Sequence, residues 1–140
     1  METALKASCI PGLRKLGFKG SFPNLYRETD GFVSLVNFQF YSAGGSFCVN
    51  LGYADPQRKN VYYLPDTDAD KLTVSQTTDS VRLGATIGGD RWFSFGETSY
   101  QMFRGQPKSV EEITLTCSEL LANEAEIWWR SKQTFKVQEG

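Results

Sequence analysis

From residue 32 to residue 53 the chain carries two alternating runs, FVSLVNFQF and FCVNLGY, joined by a short loop containing Gly44 and Gly45. Side chains two apart on a strand share a face, so each run predicts a β-strand and the pair predicts a hairpin. Pairing Phe40 with Phe47 sets Phe38 opposite Val49 and Val36 opposite Leu51, which gathers six apolar side chains on one face. The same register sets Gln39 opposite Cys48 and Asn37 opposite Asn50 on the other face, which Tyr26 and Val33 share. A one-residue slip would mix the two sets, so the pattern itself selects this register.

Upstream, Asn24 to Thr29 reads as another strand, closed onto Phe32 by Asp30-Gly31. That dipeptide suits a type I′ turn, which needs positive φ at both central residues. Downstream, Val61 to Leu64, Val81 to Leu83 and Arg91 to Phe95 read as short strands, the last two joined through Gly88-Gly89-Asp90. The polar, Thr-rich stretch from Asp66 to Ser80 reads mostly as loop, and residues 96 to 108 as irregular.

Helical periodicity marks both ends. Leu5, Cys9, Leu13 and Leu16 fall on one helical face, with Gly17 as a stop. Pro11 and Gly12 interrupt that pattern and predict a kink or two short helices. Ser109-Val110-Glu111-Glu112 fits a capping box, and Val110, Ile113, Cys117, Leu120, Leu121 and Trp128 then form an apolar stripe. Helix, strand meander and long helix together predict an α+β fold: an antiparallel sheet of about five to six strands, with an N-terminal helix and a long C-terminal helix on one face. A length of 140 residues fits one domain, 1–140.

Composition narrows the chemistry. A formal net charge of −1 gives no field for a phosphate backbone, so nucleic acid is not expected as a partner. The chain has 0 His, which removes Ser-His and Cys-His nucleophile pairs and imidazole metal ligands. Cys9, Cys48 and Cys117 are far apart and form no C-x-x-C pair, so three buried free thiols are expected. No signal-peptide pattern opens the chain, and no apolar run approaches a bilayer span. A cytoplasmic protein, not bound to membrane, is the expectation.

Several short blocks have the type and order of a known family: LRKLGF at 13–18, LYRE at 25–28, VNFQ at 36–39, F-x-V-N-L-G at 47–52, and Arg82-Leu83-Gly84 followed by Trp92. The chain resembles domain-of-unknown-function family 4304 from about Leu13 to Phe95, with a compatible C-terminal helix. The resemblance implies a small bacterial-type α+β domain. It implies no catalytic residue, cofactor or partner.

Four groups of residues could carry chemistry. Asp66, Asp68 and Asp70 open like a calcium-binding loop, but Lys71 replaces the turn glycine and Thr77 the bidentate Glu, so a solvated loop and no metal are expected. Gly44-Gly45 and Gly88-Gly89 lead into strands, whereas a phosphate cradle leads into a helix, so hairpin turns are expected. The Asn37, Gln39 and Asn50 face reads either as a solvated amide ladder or as a surface for a small ligand or protein. Among Trp92, Trp128, Trp129, Tyr62 and Tyr63, adjacent pairs cannot both face inward. The exposed members would suit a partner or homodimer interface.

The leading expectation is a non-catalytic binding or protein-interaction domain, without cofactor, using Asn37, Gln39, Asn50, Tyr26 and Trp92. The alternatives are a small enzyme using carboxylates such as Glu28, Asp90 and Glu97, or a structural subunit of a homo-oligomer.

Overall fold

The structure, a computed structural model, describes residues 1–42, 44–55, 69–85, 91–96 and 108–139, with side chains to residue 133. Two short helices open it, α1 (Glu2–Ser8) and α2 (Ile10–Lys15). The break falls at Cys9, and Pro11 sits in the first turn of α2, where its missing N–H costs nothing. Then follow β1 (Lys19–Ser21), β2 (Asn24–Thr29), β3 (Phe32–Phe40) and β4 (Ser46–Ala54). Two 3-10 turns, Ala69–Lys71 and Val74–Gln76, precede β5 (Ser80–Arg82), β6 (Phe93–Ser94), α3 (Val110–Ala122) and α4 (Glu124–Glu139).

All strand pairs are antiparallel, in the order β1-β2-β3-β4-β5, with β6 also on β4. The β3–β4 register is the one the alternation selects, with Phe38 on Val49 and Asn37 on Asn50. Asp30 and Gly31 have φ of 52° and 84°, as the two-residue turn requires. β5 and β6 do not pair with each other: they lie along one edge of β4, at residues 50–52 and 46–47. The expected hairpin through Gly88-Gly89 is therefore replaced by two separate additions to β4; those glycines, and the strand expected at Val61 to Leu64, lie outside the described residues.

Helices cover one face. Phe32, Val36, Phe38, Phe47, Val49, Leu51 and Tyr53 meet Leu5, Leu13, Ile113, Cys117, Leu121 and Trp129 in the main core. Each fully buried large side chain there contributes roughly 1.5–3 kcal/mol. Trp129, not Trp128, completes the C-terminal stripe, through Ala125. The long helix breaks at Asn123, and the apolar row then continues at fourfold spacing, Cys117, Leu121, Ala125, Trp129. Val110 stays exposed. Ser109 Oγ accepts from Glu112 N at 3.1 Å, so the side-chain half of the expected capping box is present.

Arg27 clamps α4 to the sheet. It pairs with Glu126 at 2.9 Å, and its guanidinium lies 4.6 Å from the Phe18 ring and 5.4 Å from that of Trp129.

The opposite face is also covered in part. Val33, Leu35 and Ala54 pack with Leu72 and Val74 into a second, smaller cluster. Residues 69–79, within the segment expected as loop, thus form a strap across the polar face. Gly52 lets it approach: a Cβ there would lie 2.9 Å from Thr77 Oγ1 and 3.2 Å from Val74 Cγ1.

Candidate functional site

Where the strap ends, the amide face continues. The two registers place Asn24, Asn37, Asn50 and Arg82 side by side on β2, β3, β4 and β5. Paired residues share a face, so the four side chains form one row across the sheet. The row is bonded throughout. Asn37 Nδ2 donates to Asn24 Oδ1 at 2.8 Å, and Asn50 Nδ2 donates to Asn37 Oδ1 at 2.9 Å and Gln39 Oε1 at 3.0 Å. Arg82 Nη1 lies 2.8 Å from Cys48 Sγ, and Cys48 Sγ lies 3.7 Å from Gln39 Oε1 and 4.0 Å from Asn50 Oδ1.

The three asparagines of this row, with Gln39, floor a cleft of about 670 Å³. Asn24, Asn37, Gln39, Asn50 and, from β5, Ser80 line it on the sheet side, and Thr73, Val74, Ser75 and Thr77 line the strap side. The volume is that of a small-ligand pocket. Local hydrogen bonds brace the strap. Thr73 caps the second 3-10 turn and Gln76 Oε1 returns to Thr73 N at 2.9 Å, forming a complete capping box. Thr77 Oγ1 donates to the Val74 carbonyl at 2.7 Å.

The structure brings together three of the five residues singled out from sequence, Asn37, Gln39 and Asn50. Tyr26 is on the same face but packs against the second cluster. Trp92 contacts the Arg82 guanidinium at 5.1 Å and the Tyr41 ring at 6.4 Å, beside the row. Glu28 is exposed on β2, and Asp90 and Glu97 lie outside the described residues. Asp70 is exposed in the first 3-10 turn, while Asp66 and Asp68 are not among the described residues. Among the described residues no group of His, Cys, Asp and Glu could hold a metal ion.

Asn24 and the strap residues are additions. Asn24 was accessible to sequence reasoning: a two-residue turn at Asp30-Gly31 pairs Thr29 with Phe32 and, counting back, Asn24 with Asn37. The strap gave no periodic signal, because its contacts are made by isolated apolar residues in a polar stretch.

A family described as a domain of unknown function (DUF4304) matches residues 10–139, nearly the whole chain. The chain belongs to the DUF4304 family. No curated protein and no solved structure matches it. The three cysteines are free and buried. Burial raises the Cys9 and Cys117 thiols above their ordinary range, which suits packing better than nucleophilic chemistry. No helix among the described residues is long and apolar enough to cross a membrane.

Proposed function

We propose that this DUF4304 chain is a non-catalytic recognition domain, one domain over residues 1–140, that holds a polar ligand in the cleft between the amide row and the strap. The observation that carries this reading is the amide set itself: Asn24, Asn37 and Asn50 of the row, with Gln39, on paired strands and facing a cleft of about 670 Å³. Amides on a rigid sheet lose little freedom on binding, so they suit recognition. The polar lining groups among the described residues are amides and hydroxyls, which exchange no proton near neutral pH, so they are poorly suited to general acid or base work. Three free thiols fit a reducing compartment, which supports a cytoplasmic setting.

The test is a binding screen on ¹⁵N-labelled protein. The probes are a blocked neutral tripeptide, a disaccharide and a simple carboxylate. Saturable movement of the Asn37 and Asn50 side-chain amide signals by at least one probe is expected. If none of the three moves them, recognition at this face is contradicted.

A second reading, an interface between copies, draws support from Leu115 and Ile127, exposed by 61% and 62% on α3 and α4. Sedimentation equilibrium tests it: a dimer lost in Leu115→Glu with Ile127→Glu favours this reading, and a monomer opposes it.

A further inference from the structure

We infer that this chain pairs with a second copy of itself through two complementary surfaces of its helix layer: an acidic collar around Leu115 on α3, and a basic turn around Leu16 at the end of α2. The inference rests on the interface between copies, the second reading above, and is independent of recognition in the cleft.

The acidic surface follows from helix spacing. Residues three and four apart are neighbours on the surface of a helix. Leu115 therefore has Glu111 and Glu112 on one side and Glu119 on the other, and all four side chains are exposed. The charge of this surface stays negative even when Lys108, just ahead of the helix, is counted.

The basic surface is built by the turn from α2 into β1. Arg14, Lys15, Leu16 and Lys19 are exposed there. Arg14 Nη2 donates to the Gly20 carbonyl at 2.7 Å, which holds β1, and Lys19 with it, beside the end of α2. Arg27 reaches the Leu16 carbonyl at 3.2 Å, but its charge is already matched by Glu126 at 2.9 Å.

Roles within the chain account for only part of these charges. Glu111 and Glu112 suit the N-terminus of α3, and Arg14 and Lys15 suit the C-terminus of α2. Glu119 lies toward the C-terminal end of α3, where a carboxylate gains nothing from the helix dipole, and Lys19 is on a strand. Among the described residues, Glu111, Glu112, Glu119, Lys15 and Lys19 make no ion pair within the chain. Each surface also carries an exposed leucine at its centre, which burial against a partner would remove from water.

The two surfaces belong to one layer. α2 packs on α3, and Cys9, at the start of α2, has its Sγ 3.4 Å from the Thr114 carbonyl. In a two-fold interface each surface meets its counterpart on the other copy, so the same contact is made twice. Acidic collar on basic turn satisfies that rule with opposite charges both times. A net charge of −1 adds no long-range repulsion between copies. An anionic lipid surface would use the basic turn but repel the collar, so this chain is the better fit.

The test is sedimentation equilibrium of the full chain. A dimer is expected. Raising the salt from about 0.1 M to about 1 M shortens the screening length from roughly 10 Å to 3 Å and should weaken the dimer at least threefold. Glu111→Lys with Glu119→Lys should raise its dissociation constant at least tenfold, and so should Lys15→Glu with Lys19→Glu. An equal mixture of the two variants should restore a dimer, because every contact between them again joins opposite charges. A dimer unmoved by salt or by the reversals, or weakened reversals that the mixture does not rescue, overturns this pairing and leaves an interface between copies standing. If either variant misfolds, the salt dependence of the parent decides. A parent that stays monomeric contradicts both, and a monomer that binds phosphatidylserine vesicles assigns the basic turn to a lipid surface instead.

Discussion

Trp129 Nε1 donates to the Gly52 carbonyl across 2.8 Å, tying α4 to the strand that carries Asn50. On the other side of that strand the absent Gly52 side chain makes room for Thr77 and Val74. Core helix, sheet and strap therefore meet at one glycine. The cleft is held from both sides of the sheet.

Gly52→Ala should loosen the strap. The new methyl group would sit 2.9 Å from Thr77 Oγ1, closer than Cβ contacts tolerate, so the strap must move. Overpacking of this kind costs about 1–3 kcal/mol. Urea denaturation should show that loss. Thr77→Ala in the same chain should recover part of it, a non-additive pair. Full additivity would mean that the two residues do not touch.

Trp129→Phe should destabilise the chain without touching the amide row. The lost bond is worth roughly 0.5–1.5 kcal/mol net. The smaller ring adds a cavity beside Phe18, whose ring centroid is 5.4 Å from that of Trp129. Denaturant melts measure the loss, and side-chain amide spectra should show Asn37 and Asn50 unmoved.

The thiols set a pH limit. Burial holds Cys9 and Cys117 neutral in the folded chain, with their pKa raised above the ordinary thiol range. A raised folded pKa contributes stability that is complete below the unfolded value and is lost as pH climbs above it. The urea midpoint should therefore hold steady to about pH 8 and decline above pH 9, near the thiol range. Cys9→Ala with Cys117→Ala should flatten that decline. In denaturant without reductant, thiol titration should find Cys9, Cys48 and Cys117 all reactive.

Much of this architecture was legible because it rests on periodicity. The β3–β4 register follows from six apolar side chains that fit one face in only one alignment. The Asp30-Gly31 turn is written in two residues, and the break near Pro11 in one. Other parts leave no periodic trace. β1 is three exposed residues, held partly by Arg14 Nη2 on the Gly20 carbonyl at 2.7 Å. β5 and β6 are too short to alternate, so their shared edge on β4 is set by tertiary contact, as in Phe93 stacked on Phe47 at 5.2 Å. The strap hides because Leu72 and Val74 are isolated apolar residues in a polar stretch. The amides were visible as a face, but their bonding into a row and the wall opposite them were not.

The most direct test of the central claim replaces the middle of the row. In Asn37→Ala with Asn50→Ala, stability is measured by thermal melting, and binding by titration with whichever of the blocked neutral tripeptide, the disaccharide and the carboxylate moves the Asn37 and Asn50 signals of the parent. The account predicts a folded variant close to the parent in stability, since half-exposed amides contribute only about 0.5–1.5 kcal/mol each and water replaces their partners. It predicts affinity for that probe reduced at least tenfold. A variant that unfolds or melts far below the parent would show the amides to be a structural ladder, and would contradict their role as a binding face.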